Sequence, residues 1–265
     1  MILSRKTFRR RSPTRSKRNS SARVLLFVFF AALLASSSAF AQSCPEPLSG
    51  ARRLVLVTSE TMAATGGTAR LFERTSPEEA WRPAGAAEPV RLGGGGMAWG
   101  LRFEPFAADG EPKKVEGDGR TPAGVYRIGK SFGFAASPRP GYIQLAKDTV
   151  CVDDPASPAY NTITSRNVVG RKVHGENMRA VGRYRRGLVV DYPTDGKARG
   201  GSCIFIHIQR SATSTTAGCV ALPEARVAAL QEFSEPGAVI ATLPQAALAR
   251  LSGCLPSIAD ELIAR

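Results

Sequence analysis

The amino-acid sequence predicts a mainly β domain, built as a sandwich or a partly closed barrel with a few short helices. Three observations predict this class. Short aliphatic and β-branched runs recur along the chain, clusters of Gly, Pro, Asp and Ser separate them, and helical patterns appear only near the end. The chain has 265 residues, which is long enough to bury one sizeable core.

The first predicted strands lie in the N-terminal half of the chain. Residues 53–58 are mostly aliphatic or β-branched, and residues 69–74 are expected to pair with them after a turn at 66–67. Residues 90–92 form a third short candidate. The glycine run at 93–96 is interpreted as a flexible turn, because it lacks the Lys-Ser/Thr ending of a phosphate-binding loop and no helical pattern follows it.

The middle of the chain alternates turn clusters with further strands. Turn residues at 116–124 lead into a predicted strand at 125–128. Residues 137–161 are rich in Pro, Asp and Ser and are expected to form an ordered loop. Residues 187–192 predict a strand, and residues 203–208 have the strongest strand pattern in the chain.

Helical patterns appear only in the last part of the sequence. Pro223 suits the first turn of a helix, and Val227 and Leu230 would lie on one face of that helix. Residues 239–242 predict a closing strand. A short last helix is expected at 258–263.

The N-terminal segment has the three parts of a secretory signal peptide, predicted to span residues 1–41 and to be cut after Ala41. It contains nine basic residues and no acidic ones, then an apolar run of about eleven residues, which is short of the roughly 20 that span a membrane. An uncleaved anchor is the alternative, and would give the protein its one contact with a membrane. Residues 42–265 are expected to form a single catalytic domain.

The net charge of +14 is largely explained by this segment. Without it the chain has 27 Lys and Arg against 22 Asp and Glu, and no basic cluster with interleaved aromatic residues. We therefore expect no nucleic-acid partner. Export would place the protein in the periplasm or cell wall, where disulfides persist.

The five cysteines are an odd number, which suggests two disulfides and one free thiol. The expected pairs are Cys44 with Cys254, which would tie both ends to the domain, and Cys151 with Cys203. Four cysteines allow three pairings, so the sequence alone leaves the other two open. The free thiol would then be Cys219.

Cys219 and His207 are the candidate nucleophile and base. His207 lies inside an apolar strand, where a polar ring needs a hydrogen-bond partner or a chemical role, and a backbone carbonyl could orient it. A thiol has a pKa of about 8.5, which an adjacent imidazole lowers. The thiolate would attack a carbonyl carbon, and backbone N–H groups at Gly218 and Cys219 would hold the oxyanion.

Other interpretations remain open from spacing alone. His207 could be a satisfied core histidine, and Cys219 could be a structural thiol or half of a disulfide. The two His and five Cys have no C-x-x-C or H-x-x-x-H spacing, so neither a metal nor another cofactor is predicted.

Three sets of residues resemble the L,D-transpeptidase catalytic-domain family. His207 is followed by Thr-Ala-Gly-Cys-Val at 216–220, where that family has a strand histidine and Ser/Thr-x-Gly-Cys. The acidic, Gly-rich turn and Thr-Pro-x-Gly of residues 117–126 are similar to its upstream motif. Residues 152–155, 160–161 and 176–178 resemble the branch with a short His-to-Cys loop. The resemblance covers residues 53–243, and it implies the β-rich fold of that family.

Two positions depart from the family pattern. Many members have a second histidine where this chain has Ala217, and an Arg or Asn where it has Ala221. Both departures put in doubt how the carboxylate of the acyl donor is bound. Arg120, Arg210 or His174 could bind this carboxylate instead, although His174 is more simply interpreted as an exposed loop residue.

The resemblance implies acyl transfer in peptidoglycan biosynthesis, cell-wall biogenesis and the maintenance of cell shape. A stem tetrapeptide would lose D-Ala and form a thioester on Cys219, which an amine would resolve as a 3-3 cross-link or a protein attachment. Substrate contacts are expected at Thr216, Glu176 and Arg210, and the protein is expected to be a monomer. Alternatives are a carboxypeptidase or endopeptidase that uses water, and a non-catalytic cell-wall-binding domain.

Overall fold

The computed structural model describes residues 44–234 and 237–257, and within them strands dominate. The predicted signal peptide at 1–41 and the predicted helix at 258–263 lie outside the described residues. The strands are β1 Arg53–Ser59, β2 Gly66–Glu73, β3 Arg82–Pro83, β4 Glu88–Arg91, β5 Met97–Trp99, β6 Thr121–Gly133, β7 Ile143–Gln144, β8 Thr149–Cys151, β9 Ile163–Ser165, β10 Glu176–Asn177, β11 Arg186–Val190, β12 Phe205–Ile208, β13 Val220–Leu222 and β14 Val239–Pro244.

Few helices accompany these strands. The α-helices are α1 Arg166–Val169 and α2 Glu224–Phe233, and the 3-10 helices are Glu104–Phe106, Met178–Ala180, Gly182–Arg185 and Gln245–Leu251. Across residues 44–234 and 237–257, no helix has the length and apolarity that crossing a membrane requires.

Eight strands close into a barrel. Their order is β1-β14-β6-β11-β12-β13-β4-β2, and β2 pairs again with β1. The pairs β1–β14 and β12–β13 are parallel, and the other six are antiparallel. The prediction of a mainly β domain with few helices is therefore confirmed, and the expected barrel is closed. Closure leaves no unpaired strand edge among these eight strands.

The apolar side chains form two buried clusters. The larger fills the barrel and includes Trp99, Leu188 and Val239. The smaller lies on the other face of β11 and β12, and it contains Phe132, Leu145, Cys151, Met178, Tyr184, Phe205 and Cys219. The smaller cluster matters for function because the candidate nucleophile is part of it.

A second sheet covers the smaller cluster. Its strands have the order β10-β8-β9, and all pairs are antiparallel. The Cys151–Cys203 disulfide joins β8 to the segment before β12, with 6.1 Å between the Cα atoms. Cys44 and Cys254 are also bridged, with Cα atoms 5.4 Å apart, and Cys219 is free. All three cysteine assignments made from the sequence are confirmed.

Some predicted elements need correction. The expected loop at 137–161 contains β7 and β8, because its short apolar stretches face the smaller cluster while its polar residues remain outside. The predicted turn at 66–67 is the beginning of β2, since both glycines pair with β4. The predicted pairing of the first two strands and the helix after Pro223 are confirmed, with Val227 and Leu230 buried.

The glycine run at 93–96 is a turn, and its neighbours pack against it closely. The N–H of Gly93 donates to Thr121 Oγ1 at 2.9 Å, and a Cβ on Gly93 would lie 2.8 Å from the Cα of Arg120. Gly96 has a φ of +78°, and a Cβ there would collide with the Met62 carbonyl. The glycines therefore allow this turn to support the start of β6.

We predict that replacing both Cys151 and Cys203 with alanine destabilises the domain. The bridge closes a loop with a sequence separation of 52, for which the chain-entropy relation gives about 4 kcal/mol. Urea unfolding under oxidising conditions should show this loss. The control is Cys219→Ala, which removes a buried sulfur without a bridge and should cost about 1 kcal/mol. Equal unfolding free energies for the double variant and the parent would contradict the prediction.

Candidate active site

A half-open pocket of about 610 Å³ contains both candidate catalytic residues, Cys219 and His207. The three expected substrate contacts, Thr216, Glu176 and Arg210, also line it. The structure thus brings together residues that lie far apart in the sequence, from β10, β12 and the segment before β13.

The pairing of β12 with β13 places the two candidate catalytic side chains on the same side of the barrel wall. Ile206 pairs with Val220, so Cys219 lies beside Phe205, whose N–H donates to Cys219 Sγ at 3.3 Å. His207 is two residues beyond Phe205 and therefore faces the same side of the strand. The Tyr184 ring confirms this, because its edge-on contacts reach both Phe205 and His207, with centroids 5.5 and 5.3 Å apart.

Cys219 rests as a neutral thiol. Its Sγ donates to the Cys203 carbonyl at 3.5 Å, and its residue is only 7% exposed. Burial raises the pKa of the thiol to about 12, although the Phe205 N–H opposes this. Among the described residues, no hydrogen bond joins Sγ to the His207 ring. If the two residues act as nucleophile and base, proton transfer between them would accompany substrate binding or attack.

His207 is a neutral base held by the main chain. Its Nδ1 lies 2.8 Å from the Ile208 carbonyl, which can only accept, so Nδ1 bears the proton and Nε2 is the basic nitrogen. Burial lowers the pKa of the imidazole to about 4, and Arg183 lowers it further while the Ile208 carbonyl opposes the shift. The orienting group is thus a backbone carbonyl, as expected from the sequence.

The turn before Cys219 is shaped by Gly218 and Thr216. Gly218 has a φ of +138°, and a Cβ there would lie 2.8 Å from the Arg120 carbonyl. Its N–H donates to Thr216 Oγ1 at 3.1 Å, and that hydroxyl donates to the Cys219 carbonyl at 2.7 Å. The Thr216 hydroxyl is therefore used within the turn, although substrate contact was expected. The Gly218 N–H, expected to bind the oxyanion, must exchange this partner before it can do so.

Two features near the candidate nucleophile were missed from the sequence. Thr121 Oγ1 donates to the Cys219 carbonyl at 3.2 Å and accepts from Gly93, so the start of β6 holds the segment that bears the thiol. Lys114 and Asp118 form a buried ion pair of 2.7 Å at the pocket wall. The Thr-Pro-x-Gly motif marked Thr121 as notable, but its contact depends on the closed barrel.

The three proposed carboxylate-binding residues differ in position. The Arg120 guanidinium donates to the Gly95 and Met97 carbonyls, so it supports the glycine turn and does not reach the pocket. That part of the prediction is wrong. His174 is exposed and paired with Asp153, as a loop residue would be, and both residues also line the pocket. Arg210 remains at the pocket edge, and Arg183, which sequence reasoning missed, also lines it.

Tyr184 connects the base to the second sheet. Its hydroxyl donates to Glu176 Oε2 at 2.7 Å, and its ring contacts His207. Burial raises the pKa of the phenol well above its ordinary range, so it remains a neutral donor. No sequence pattern indicated Tyr184, because its contacts depend on the 3-10 helix Gly182–Arg185 lying against β12.

The buried imidazole predicts a loss of stability in acid. Between its ordinary pKa of 6.5 and its folded value of about 4, the unfolded chain binds a proton that the folded chain does not. The free energy of unfolding should therefore fall by about 3 kcal/mol as the pH drops through this range. His207→Asn removes the titrating group and should lack this component in urea unfolding at several pH values. Parallel pH profiles for the two proteins would contradict the prediction.

Comparison with known proteins gives one match. A family model described as an L,D-transpeptidase catalytic domain matches residues 88–241, which include Cys219, His207 and the pocket residues named above. Neither the curated proteins nor the solved structures include a match. Within the described part of the chain, no group of three or more His, Cys, Asp or Glu side chains could hold a metal ion.

Proposed function

Since the chain belongs to the L,D-transpeptidase catalytic-domain family, whose model matches residues 88–241, we propose that it is a cysteine acyltransferase acting on peptidoglycan stem peptides. The observation that supports this most directly is a free cysteine, Cys219, in the same pocket as a histidine with its Nδ1 bound to a backbone carbonyl. A buried structural thiol would have no need of an oriented neutral base beside an open pocket.

The first half-reaction forms a thioester and releases D-Ala. His207 Nε2 takes the proton from Cys219 Sγ as sulfur attacks the carbonyl carbon of the third stem residue. The carbonyl π electrons move to oxygen and form a tetrahedral oxyanion. When this collapses, the bond to the D-Ala nitrogen breaks, and the imidazolium returns the proton to the leaving amine.

The second half-reaction reverses these roles. An acceptor amine attacks the thioester carbon, His207 takes a proton from the amine, and the thiolate leaves and is reprotonated. The acceptor would be a second stem peptide, giving a 3-3 cross-link, or an amine of an attached protein. Backbone N–H groups near Cys219 and Gly218 would stabilise both oxyanions.

Positive charges near the nucleophile lower the energetic cost of the thiolate. Arg183 and Lys114 both lower the pKa of Cys219, whereas burial and Glu176 raise it. The thiol is therefore neutral at rest, and we expect it to lose its proton to His207 only as sulfur attacks the substrate carbonyl. A neutral resting thiol would also be less exposed to oxidation.

The same proposal includes export. Two disulfides fit a protein that works outside the cytoplasm. We propose that residues 1–41 direct export and are removed after Ala41, and that residues 42–265 act as one monomeric catalytic domain in the periplasm or cell wall.

Mass spectrometry of a reaction with a disaccharide tetrapeptide tests the function. The proposal predicts loss of D-Ala together with a cross-linked dimer, and neither product with Cys219→Ala. A shortened stem without a dimer would mean that water is the acceptor and the protein is a hydrolase. If neither product nor covalent adduct forms, the protein binds the cell wall without catalysis and the proposal is wrong.

A further inference from the structure

Two opposite charges flank the nucleophile without pairing with each other. Arg183 from the 3-10 helix Gly182–Arg185 and Glu176 from β10 both line the pocket that contains Cys219. Both act on the thiol electrostatically, since Arg183 lowers the pKa of Cys219 and Glu176 raises it. No ion pair between them is present among the described residues.

The guanidinium of Arg183 is without a hydrogen-bond acceptor in the part of the chain that the structure describes. Its recorded contact is with the Tyr184 ring, whose centroid lies 5.8 Å from its Cζ. The side chain is half-buried, so it has lost part of its hydration. Arg185 and Arg186, on the same segment, instead form ion pairs with Glu224. Arg183 thus differs from its neighbours in having no anionic partner among the residues that the structure describes.

The carboxylate of Glu176 is only partly used. Tyr184 donates to Oε2 at 2.7 Å, and within the described residues Oε1 has no hydrogen-bond donor. Tyr184 is fixed in the smaller apolar cluster by edge-on contacts with Phe132 and Phe205. Tyr184, itself fixed, thus contacts both charged residues, Glu176 through its hydroxyl and Arg183 through its ring.

Opposite charges in a half-enclosed pocket attract each other. The hydration free energy that they lose there is normally offset by pairing with each other or with a ligand. Here, within the described residues, the two charges line the pocket beside the Cys219 thiol and form no ion pair with each other. A neutral ligand would leave both charges uncompensated, and a ligand with a single charge would leave one of the two uncompensated. A ligand that bears both an ammonium and a carboxylate at one end would satisfy both.

We propose that Arg183 and Glu176 recognise the zwitterionic end of the acyl donor's side chain, with the guanidinium binding its carboxylate and Glu176 binding its ammonium. This rests on the proposed function. In a stem whose third residue is meso-diaminopimelate, that side chain ends in a D-centre with both groups. A guanidinium suits a carboxylate because it can donate two parallel N–H bonds.

The residues next to Cys219 offer no alternative cation. Ala217 and Ala221 are uncharged, and the Arg120 guanidinium is bound within the glycine turn. Arg183 would supply the missing cation from a different element. Substrates without the side-chain carboxylate should then be discriminated against, because they leave the guanidinium unpaired.

Calorimetry tests the roles of Arg183 and Glu176 without requiring catalysis. It would measure the binding of stem tetrapeptides to the full chain that carries Cys219→Ala. Three tetrapeptides would be compared, with meso-diaminopimelate, its side-chain amide and L-lysine as third residue. The first should bind on the order of tenfold to a hundredfold more tightly than the other two. Equal affinities, including no measurable binding of any peptide, would overturn the proposal.

Variants on this background assign the two contacts. Arg183→Gln should reduce the affinity for the diaminopimelate peptide to that for the amide, and leave affinity for the amide unchanged. Glu176→Gln should weaken all three peptides, since all carry the ammonium. The control Arg171→Gln removes an exposed arginine outside the pocket and should change nothing. A preference that survives Arg183→Gln would overturn the assignment.

Kinetics with Cys219 intact separate this inference from the proposed function. Arg183→Gln should slow thioester formation by the diaminopimelate stem. If instead it slows only acyl transfer from a preformed thioester, Arg183 and Glu176 bind the acceptor, and their assignment to the donor is overturned. Selective binding of the diaminopimelate peptide without any thioester would refute the proposed function, but it would still support substrate recognition by Arg183 and Glu176. A thioester that forms at the same rate from all three peptides would refute recognition by Arg183 and Glu176 and leave the proposed function supported.

Discussion

Cys219→Ala is expected to abolish acyl transfer, with the rate of D-Ala release falling by about 10⁴-fold or more. The reason is that the thioester cannot form without sulfur, whereas the pocket and His207 remain. Residual substrate binding should persist, because Arg183, Glu176 and Arg210 are unchanged at the pocket wall. Release of D-Ala from a stem tetrapeptide, followed by chromatography, measures the effect.

The matched control is Cys219→Ser, which restores a hydroxyl of similar shape. An alcohol is far less acidic than a thiol, so this variant should also lose nearly all activity while it keeps the fold. Circular dichroism and urea unfolding should show native structure for both variants. Activity within tenfold of the parent in either variant would mean that Cys219 is not the nucleophile.

His207→Asn is expected to lower the rate of thioester formation by about 10²- to 10⁴-fold at neutral pH. The asparagine amide can still donate to the Ile208 carbonyl, so the variant removes the basic Nε2 while it preserves the main-chain contact seen at 2.8 Å. The thiol would then lose its proton only to bulk solvent, against the pKa of about 12 that burial imposes.

The pH profile distinguishes a lost base from a general loss of structure. In the parent protein the rate should fall only in acid, as the imidazole gains a proton near its pKa of about 4. In His207→Asn the rate should rise about tenfold per pH unit across neutral and alkaline pH, because the thiolate fraction rises in that way. A variant profile parallel to that of the parent would show that His207 has another role.

Local sequence patterns were sufficient to predict much of the framework. The strands at 53–58 and 239–242 are nearly continuous apolar runs, and both are buried strands of the barrel. The odd cysteine count and the position of His207 in an apolar strand together indicated the candidate catalytic pair, which the structure places in one pocket. The disulfide pairing was one of three that the sequence allowed, and Cys151 reaches Cys203 because the second sheet packs over β11 and β12.

The remainder depended on tertiary contacts that no local pattern contains. Arg120 and Arg183 are both arginines near turns, yet one supports the glycine turn and the other faces the pocket. Tyr184 became relevant only because a 3-10 helix lies against β12. The strands within 137–161 are two or three residues long, too short for a period of two to be visible.

The most direct test is the covalent intermediate itself. The purified protein would be mixed with a stem tetrapeptide, quenched in acid within a turnover, and its intact mass and peptide map measured. The proposed mechanism predicts a mass increase equal to the tetrapeptide donor less D-Ala, located on the peptide that contains Cys219 and removed by hydroxylamine. No mass increase, or one located on another residue, would contradict it.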